Sequence, residues 1–382
     1  MMVLFGLGVI SAMQAQTFDK LWKEVEQAEK KSLPKTVIKL TDEIYQKGEK
    51  ERNSAQMLKA YMWRMKTQDI LTPDSFYVGL RDLEQWAKQT EQPMDRAILH
   101  SLIAEFYANY AADNQWQLRQ RTEIVGETPS ADIREWTANM FVEKVRTNVK
   151  EALADSLLLL KTSSLNYIPF VELGETSEYY HHDMYHLLAS RAIRALNQIE
   201  RLERGSFNGI TASSVKQDII NIYERMTDAY ETAGLKEGYV LTMLQYLEWK
   251  RGNDNKLQPV QLKKGLGEWT ADTYNAALDE LKRQFKSEPI CAEVYLAQVR
   301  YAVEKMQQVN ALQLCDESIR LYPGYRRINA LKNLREDILS PSLNVTAAAT
   351  AFPGEEIKIR ASHKNLDGFT LRLFQAKKLI KE

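Results

Sequence analysis

The densest set of groups able to do chemistry is Tyr179-Tyr180-His181-His182-Asp183-Met184-Tyr185-His186. His182 and His186 are four residues apart, so on a helix they would share a face as a zinc pair does. A hydrolase of that type also needs a glutamate directly after the first histidine to act as base. Asp183 stands there instead, with a shorter side chain, and no third metal ligand is identifiable. The cluster therefore reads as a polar, half-exposed helix start, and a periplasmic metallohydrolase built on His182 and His186 is not adopted.

Two thiols could be asked to act as nucleophiles, in Cys291-Ala-Glu-Val294 and Cys315-Asp-Glu-Ser318, but neither has a histidine near it in sequence. Cys315 falls on the expected core face of a helix, where a free cysteine behaves as a small hydrophobe. Gly265-Leu-Gly267 lacks the third glycine and the preceding strand of a phosphate loop. Carboxylates are plentiful but lie along helices, where they form the solvated face. The seven tryptophans and eighteen tyrosines recur at helical spacing and read as packing groups. No residue is assigned a catalytic, cofactor-binding or metal-binding role, and the chain reads as a non-enzyme.

The 382 residues carry 51 basic and 51 acidic side chains, so no net field draws the chain to nucleic acid or to an anionic membrane surface. A hydrophobic content of 44% argues against disorder. With 16 glycines and 10 prolines the chain is poor in turns, which points to long helices. Val3 to Met13 is an apolar run followed by Gln14-Ala15-Gln16, the pattern of a signal peptide over residues 1–15. No Lys or Arg precedes it, which places the true start upstream of Met1. No later stretch is apolar enough to span a bilayer, and no cysteine follows the signal to carry a lipid. An exported protein of the periplasm or cell envelope is expected, without a transmembrane segment in the mature chain.

From residue 16 to 339 the pattern is helical. Leu21, Trp22, Val25 and Ala28 share one helical face, and Pro34 opens a second helix with Val37, Ile38, Thr41, Ile44 and Tyr45 inward. Asn53 or Ser54 caps a third helix carrying Met57, Leu58, Tyr61 and Met65; Asp74 caps a fourth, Pro93 starts a fifth and Ser130 a sixth. Further helices are expected over Ala138 to Leu160, His182 to Arg204, Ser214 to Ala233 and Glu237 to Arg251. Pro289 and Pro323 are 34 residues apart, as are Ala277 and Ala311. That is the period of a tetratricopeptide unit, with Tyr295 at the large early position and Ala311 and Ser318 at the small crossing positions. The glycine and tyrosine positions of the first helix are occupied by Val299 and Ala302. An α-α hairpin solenoid is expected.

At Ser340-Pro341 the period changes to two. Leu343, Val345 and Ala347 alternate, then Ile357, Ile359 and Ala361, then Phe369, Leu371 and Leu373, with turns at Pro353-Gly354 and Asn365 to Gly368. Three strands fall short of the roughly seven that an antiparallel sandwich uses. Residues 340–382 therefore read as the start of a truncated sandwich, and the chain as a fragment.

These stretches together resemble the N-terminal region of bacterial alpha-2-macroglobulin family proteins. The resemblance rests on Phe18-Asp-Lys-Leu-Trp22 with Leu33-Pro-Lys35, on Asp132-Ile-Arg-Glu-Trp136 followed by Ser156-Leu-Leu-Leu-Leu160, and on Met184-Tyr-His-Leu-Leu-Ala-Ser-Arg-Ala192. Ser342-Leu-Asn-Val345 with Pro353-Gly-Glu355 completes it at the helix-to-strand switch. It runs along most of the mature chain, loosely between about Gly205 and Lys286. The resemblance implies a protease trap in which a bait segment is cut and, in many members, a cysteine-glutamine thioester acylates the attacker. The thioester motif is Cys-x-Glu-Gln, and Val294 and Ser318 stand where the glutamine is required, so bait and thioester would lie beyond Glu382. Proteases would then be partners of the full-length protein, and other envelope proteins partners of the helical module. The alternative is an exported helical-repeat scaffold of an envelope assembly, without inhibitory role.

Overall fold

A computed structural model describes residues 18–72, 76–122, 130–174, 177, 180–203, 214–253, 271–347, 354, 356 and 358–370. The expected signal peptide, the Asp74 cap, Gly265-Leu-Gly267 and the third strand beyond residue 370 lie outside them. Among the described residues the chain is mainly helical, with a small antiparallel sheet of two strands toward the C-terminus. It divides into two compact units, Met1–Val260 and Gln261–Glu382. Among the described residues no helix is long and apolar enough to cross a membrane.

In the first unit, α1 (18–30) buries Phe18, Leu21, Trp22, Val25 and Ala28 against Val37 and Ile44 of α2 (Pro34–Glu51) and Ala60 of α3 (Ser54–Leu71). Pro34 begins α2, where its missing N–H costs nothing, and the Asn53 side chain accepts from Gln56 N at 3.2 Å to cap α3. α4 (Phe76–Gln89) leads to α5 (Pro93–Asp113), which packs on α4, α7 (Ala138–Ala152) and α9 (Met184–Ile199). Helix α5 is therefore covered nearly all round, and Ile98, Leu99, Ile103, Tyr107 and Ala108 are all buried. α9 carries α10 (Ser214–Ala233), and α10 pairs with α11 (Lys236–Gly252).

Three expected helices have different bounds. No helix starts at Ser130: Asp132 instead caps a 3₁₀ turn, Ile133–Glu135, and α7 starts at Ala138. The run from Ala138 to Leu160 is broken at Leu153, because Asp155 accepts from Leu158 N at 3.0 Å and starts α8 (Ser156–Lys161) afresh. The helix expected from His182 begins at Met184, since Asp183 is its cap. A short helix, α6 (Gln115–Leu118), was not anticipated.

The second unit contains α12 (Ala271–Gln284), α13 (Cys291–Glu304), α14 (Gln308–Leu321) and α15 (Ile328–Leu339), each packed on the next in sequence. Tyr295, Ala311 and Ser318 are buried. A buried ion pair, Arg327 to Glu293 at 2.6 Å, ties the start of α15 to the first turn of α13, and Tyr325 Oη donates to the same carboxylate at 2.9 Å. The strands β1 (Ser342–Ala347) and β2 (Ile359–Lys364) follow. Their register pairs Leu343 with His363, Val345 with Ala361 and Ala347 with Ile359. Asn365, at φ 53°, donates its amide to Ile338 O at 2.6 Å and so caps the end of α15 from the strand.

Truncating Leu99 at the centre of α5 is expected to lower the unfolding free energy of its unit by about 2 to 5 kcal/mol in a denaturant titration. Ile70→Ala on the exposed face of α3 should change it by less than about 0.5 kcal/mol.

Candidate functional site

The segment 162–164 lies antiparallel to 182–184. Met184 N donates to Thr162 O at 2.8 Å and Ser164 N to His182 O at 3.1 Å. This pairing holds Asp183 at the mouth of α9, where its Oδ1 accepts from His186 N at 2.7 Å. Asp183 Oδ2 accepts from Tyr230 Oη of α10 at 2.8 Å and from His181 Nδ1 at 2.6 Å. The carboxyl group is buried yet satisfied by three donors. Burial, with Asp183 beside it, pushes the Tyr230 phenol far above its ordinary range, so it serves as a hydrogen-bond donor.

His182 and His186 do not form a pair. His182 precedes the helix and is exposed, its Nε2 donating to Ser177 O at 3.3 Å. His186 is wholly buried rather than half-exposed, edge-on to Tyr180 at 5.5 Å and beside Tyr230 at 6.1 Å. Its Nε2–H donates to Gln245 Oε1 at 3.3 Å, and Nδ1 has no partner among the described residues. Burial lowers its pKa to about 4, so the ring is neutral near pH 7. Gly238 of α11 makes this packing possible, since a Cβ there would meet the Tyr230 ring at 2.5 Å. Among the described residues no three His, Cys, Asp or Glu side chains are placed to hold a metal ion. The constellation is suited to fastening α9, α10 and α11 together. Tyr230 and Gln245 lie 47 and 59 residues from their partners, so no local spacing could have revealed them.

Both cysteines are buried and unpaired. Desolvation raises both thiols, Cys315 to about 11 and Cys291 in the same direction, so neither is an activated nucleophile at neutral pH.

Two concave surfaces are found among the described residues. In the second unit a polar hollow of about 660 Å³ lies between α12, α13 and the start of α14, with Asn275, Lys282, Gln298, Lys305 and Asn310 on its walls. Gln298 Nε2 donates to Asp279 Oδ1 at 2.6 Å, while its buried Oε1 is without a partner among the described residues. Lys282 and Lys305 stand over the Tyr295 and Tyr301 rings at 5.2 and 5.3 Å. In the first unit a cleft of about 330 Å³ lies between α3, α5 and α9, with mainly apolar walls. Neither surface was indicated by a motif: the cleft is assembled from helices far apart in sequence, and the hollow from scattered polar positions on three successive helices.

No family model matches the chain, and no curated protein or solved structure is similar to it.

Two measurements check this reading. The unfolded His186 titrates near pH 6.5 and the folded one near 4, so the unfolded chain binds this proton more tightly. Stability is therefore complete above about pH 6.5 and falls as the pH drops toward 4, by about 3 kcal/mol from this residue alone. Denaturant titrations across that window should show a shallower decline in His186→Gln than in the parent protein. The thiols are expected to resist iodoacetamide at pH 8 in the folded protein and to react fully in denaturant, as read by mass spectrometry.

Proposed function

We propose that the chain is the amino-terminal helical module of an exported, macroglobulin-like protease inhibitor, a non-catalytic part that works by contact with other protein domains. The observation that carries the reading is the sheet. Its register places Leu343, Val345, Ala347, Ile359 and Ala361, with His363 opposite Leu343, on one face, and Ser342, Asn344, Thr346, Arg360, Ser362 and Lys364 on the other. Leu343, Val345 and Ile359 are each more than 40% exposed. A two-stranded ribbon with an uncovered apolar face is marginal by itself in water, and a second sheet laid on that face would complete a sandwich. This is the form expected for the first macroglobulin-type sandwich following the helices.

The tetratricopeptide-like reading belongs to the same proposal. Tyr295, Ala311 and Ser318, the positions of the 34-residue pattern, are buried where α13 and α14 pack, which supports a repeat hairpin in the second unit. The polar hollow beside that hairpin is its contact surface for neighbouring domains or envelope proteins.

The test is a trapping assay. The intact exported protein, mixed with a protease, should give a larger complex in which the protease is shielded from protein substrates but still cuts small peptides. This chain alone should leave the protease fully active. An intact protein that leaves the protease unshielded, or inhibition by this chain alone, would contradict the proposal.

A further inference from the structure

The cleft of the first unit goes beyond that reading. Its walls come from Met62 of α3, Ile98 and Leu102 of α5, and Met184 and Leu188 of α9. Its volume, about 330 Å³, lies in the range of small-ligand sites. The methionines are unbranched and adaptable, suited to a flexible chain rather than to one rigid shape. The polar groups are few. Ser101 is 95% buried, judged from its 5% exposure, and its Oγ has no partner among the described residues. An unpaired buried hydroxyl costs about 1 to 3 kcal/mol, which an acceptor on a bound molecule would recover.

Two cations, Lys59 and Arg191, also line the cleft. Arg191 is bound to Glu105. Lys59 Nζ lies over the Trp22 ring at 4.8 Å and 3.4 Å from Glu172 Oε1, and the Glu172 side chain is 78% exposed. A pair of that kind contributes little, so an entering carboxylate can replace Glu172 at small cost. An extended peptide would bring an amide N–H and C=O at every residue against mainly apolar walls whose polar side chains, Lys59, Ser101, Glu172 and Arg191, are too few to pair them, and burying those groups unpaired is unfavourable. A methylene chain has no such groups.

We propose that this cleft binds a long-chain carboxylate. The acyl chain lies among Met62, Ile98, Leu102, Met184 and Leu188, and the head group is held by Lys59, Arg191 and the Ser101 hydroxyl.

The test is titration of the whole protein with dodecanoate, followed by calorimetry. Saturable binding of one equivalent is expected, with dodecanol weaker by about tenfold because it lacks the charge-assisted bonds. Lys59→Gln should weaken dodecanoate by a similar factor and leave dodecanol unchanged. Leu187→Trp, at a partly exposed position of the lining, should block both ligands, with its fold checked by circular dichroism. Absence of saturable binding below about 1 mM, or equal affinity in the parent and both variants, would overturn the proposal.

Discussion

Among the described residues three helices carry, at the cap or in the first turn, a buried acid that takes a tyrosine hydroxyl from a distant segment. Asp183 caps α9 and accepts from Tyr230, Asp95 in the first turn of α5 accepts from Tyr167 at 2.9 Å, and Glu293 in the first turn of α13 accepts from Tyr325. The helix N-terminus favours negative charge, and the phenol supplies a donor that water no longer can. Each acid also takes a second outside donor: His181 for Asp183, Ser54 at 2.5 Å for Asp95, and Arg327 for Glu293. A buried carboxyl group left without these donors would be costly, so each arrangement fixes which segment lies against the start of its helix.

The remaining packing follows from those starting points. With α5 and α9 registered, their apolar faces meet along Ile98 and Leu102 on one side and Met184 and Leu188 on the other, and the cleft is the space α3 leaves beside them. With α13 registered by Glu293, α14 brings Ala311 and Ser318 into the core and leaves the polar walls of the hollow outward. His181, His186 and the two cysteines, which first suggest chemistry, are absorbed into this framework. His186 and both thiols are buried in their uncharged forms.

Much of the helical framework was legible in the sequence because its signals are local. Pro34 and Pro93 start helices, Asn53 caps one, and Leu21, Trp22, Val25 and Ala28 face inward together. Ser214–Ala233 has the expected ends. The errors arise where a polar side chain bonds its own backbone in place of continuing the helix, at Asp132, Asp155 and Asp183, each an acceptor for an N–H two or three residues on. The tyrosine donors, Gln245, Ser101 and Gln298 could not be read, since their roles depend on partners or surfaces formed by other helices. The alternation of β1 and β2 was readable, but the exposure of their apolar face is a property of the structure alone.

The account depends most directly on the buried acid and its tyrosine. A double-mutant cycle on Asp183→Asn and Tyr230→Phe, with unfolding free energies measured by denaturant titration, isolates their interaction from the effect of either change alone. The account predicts a coupling energy of about 1 to 3 kcal/mol between Asp183 and Tyr230. Losses that add to within about 0.5 kcal/mol would contradict it, and would mean that α9 and α10 are held together by apolar packing alone.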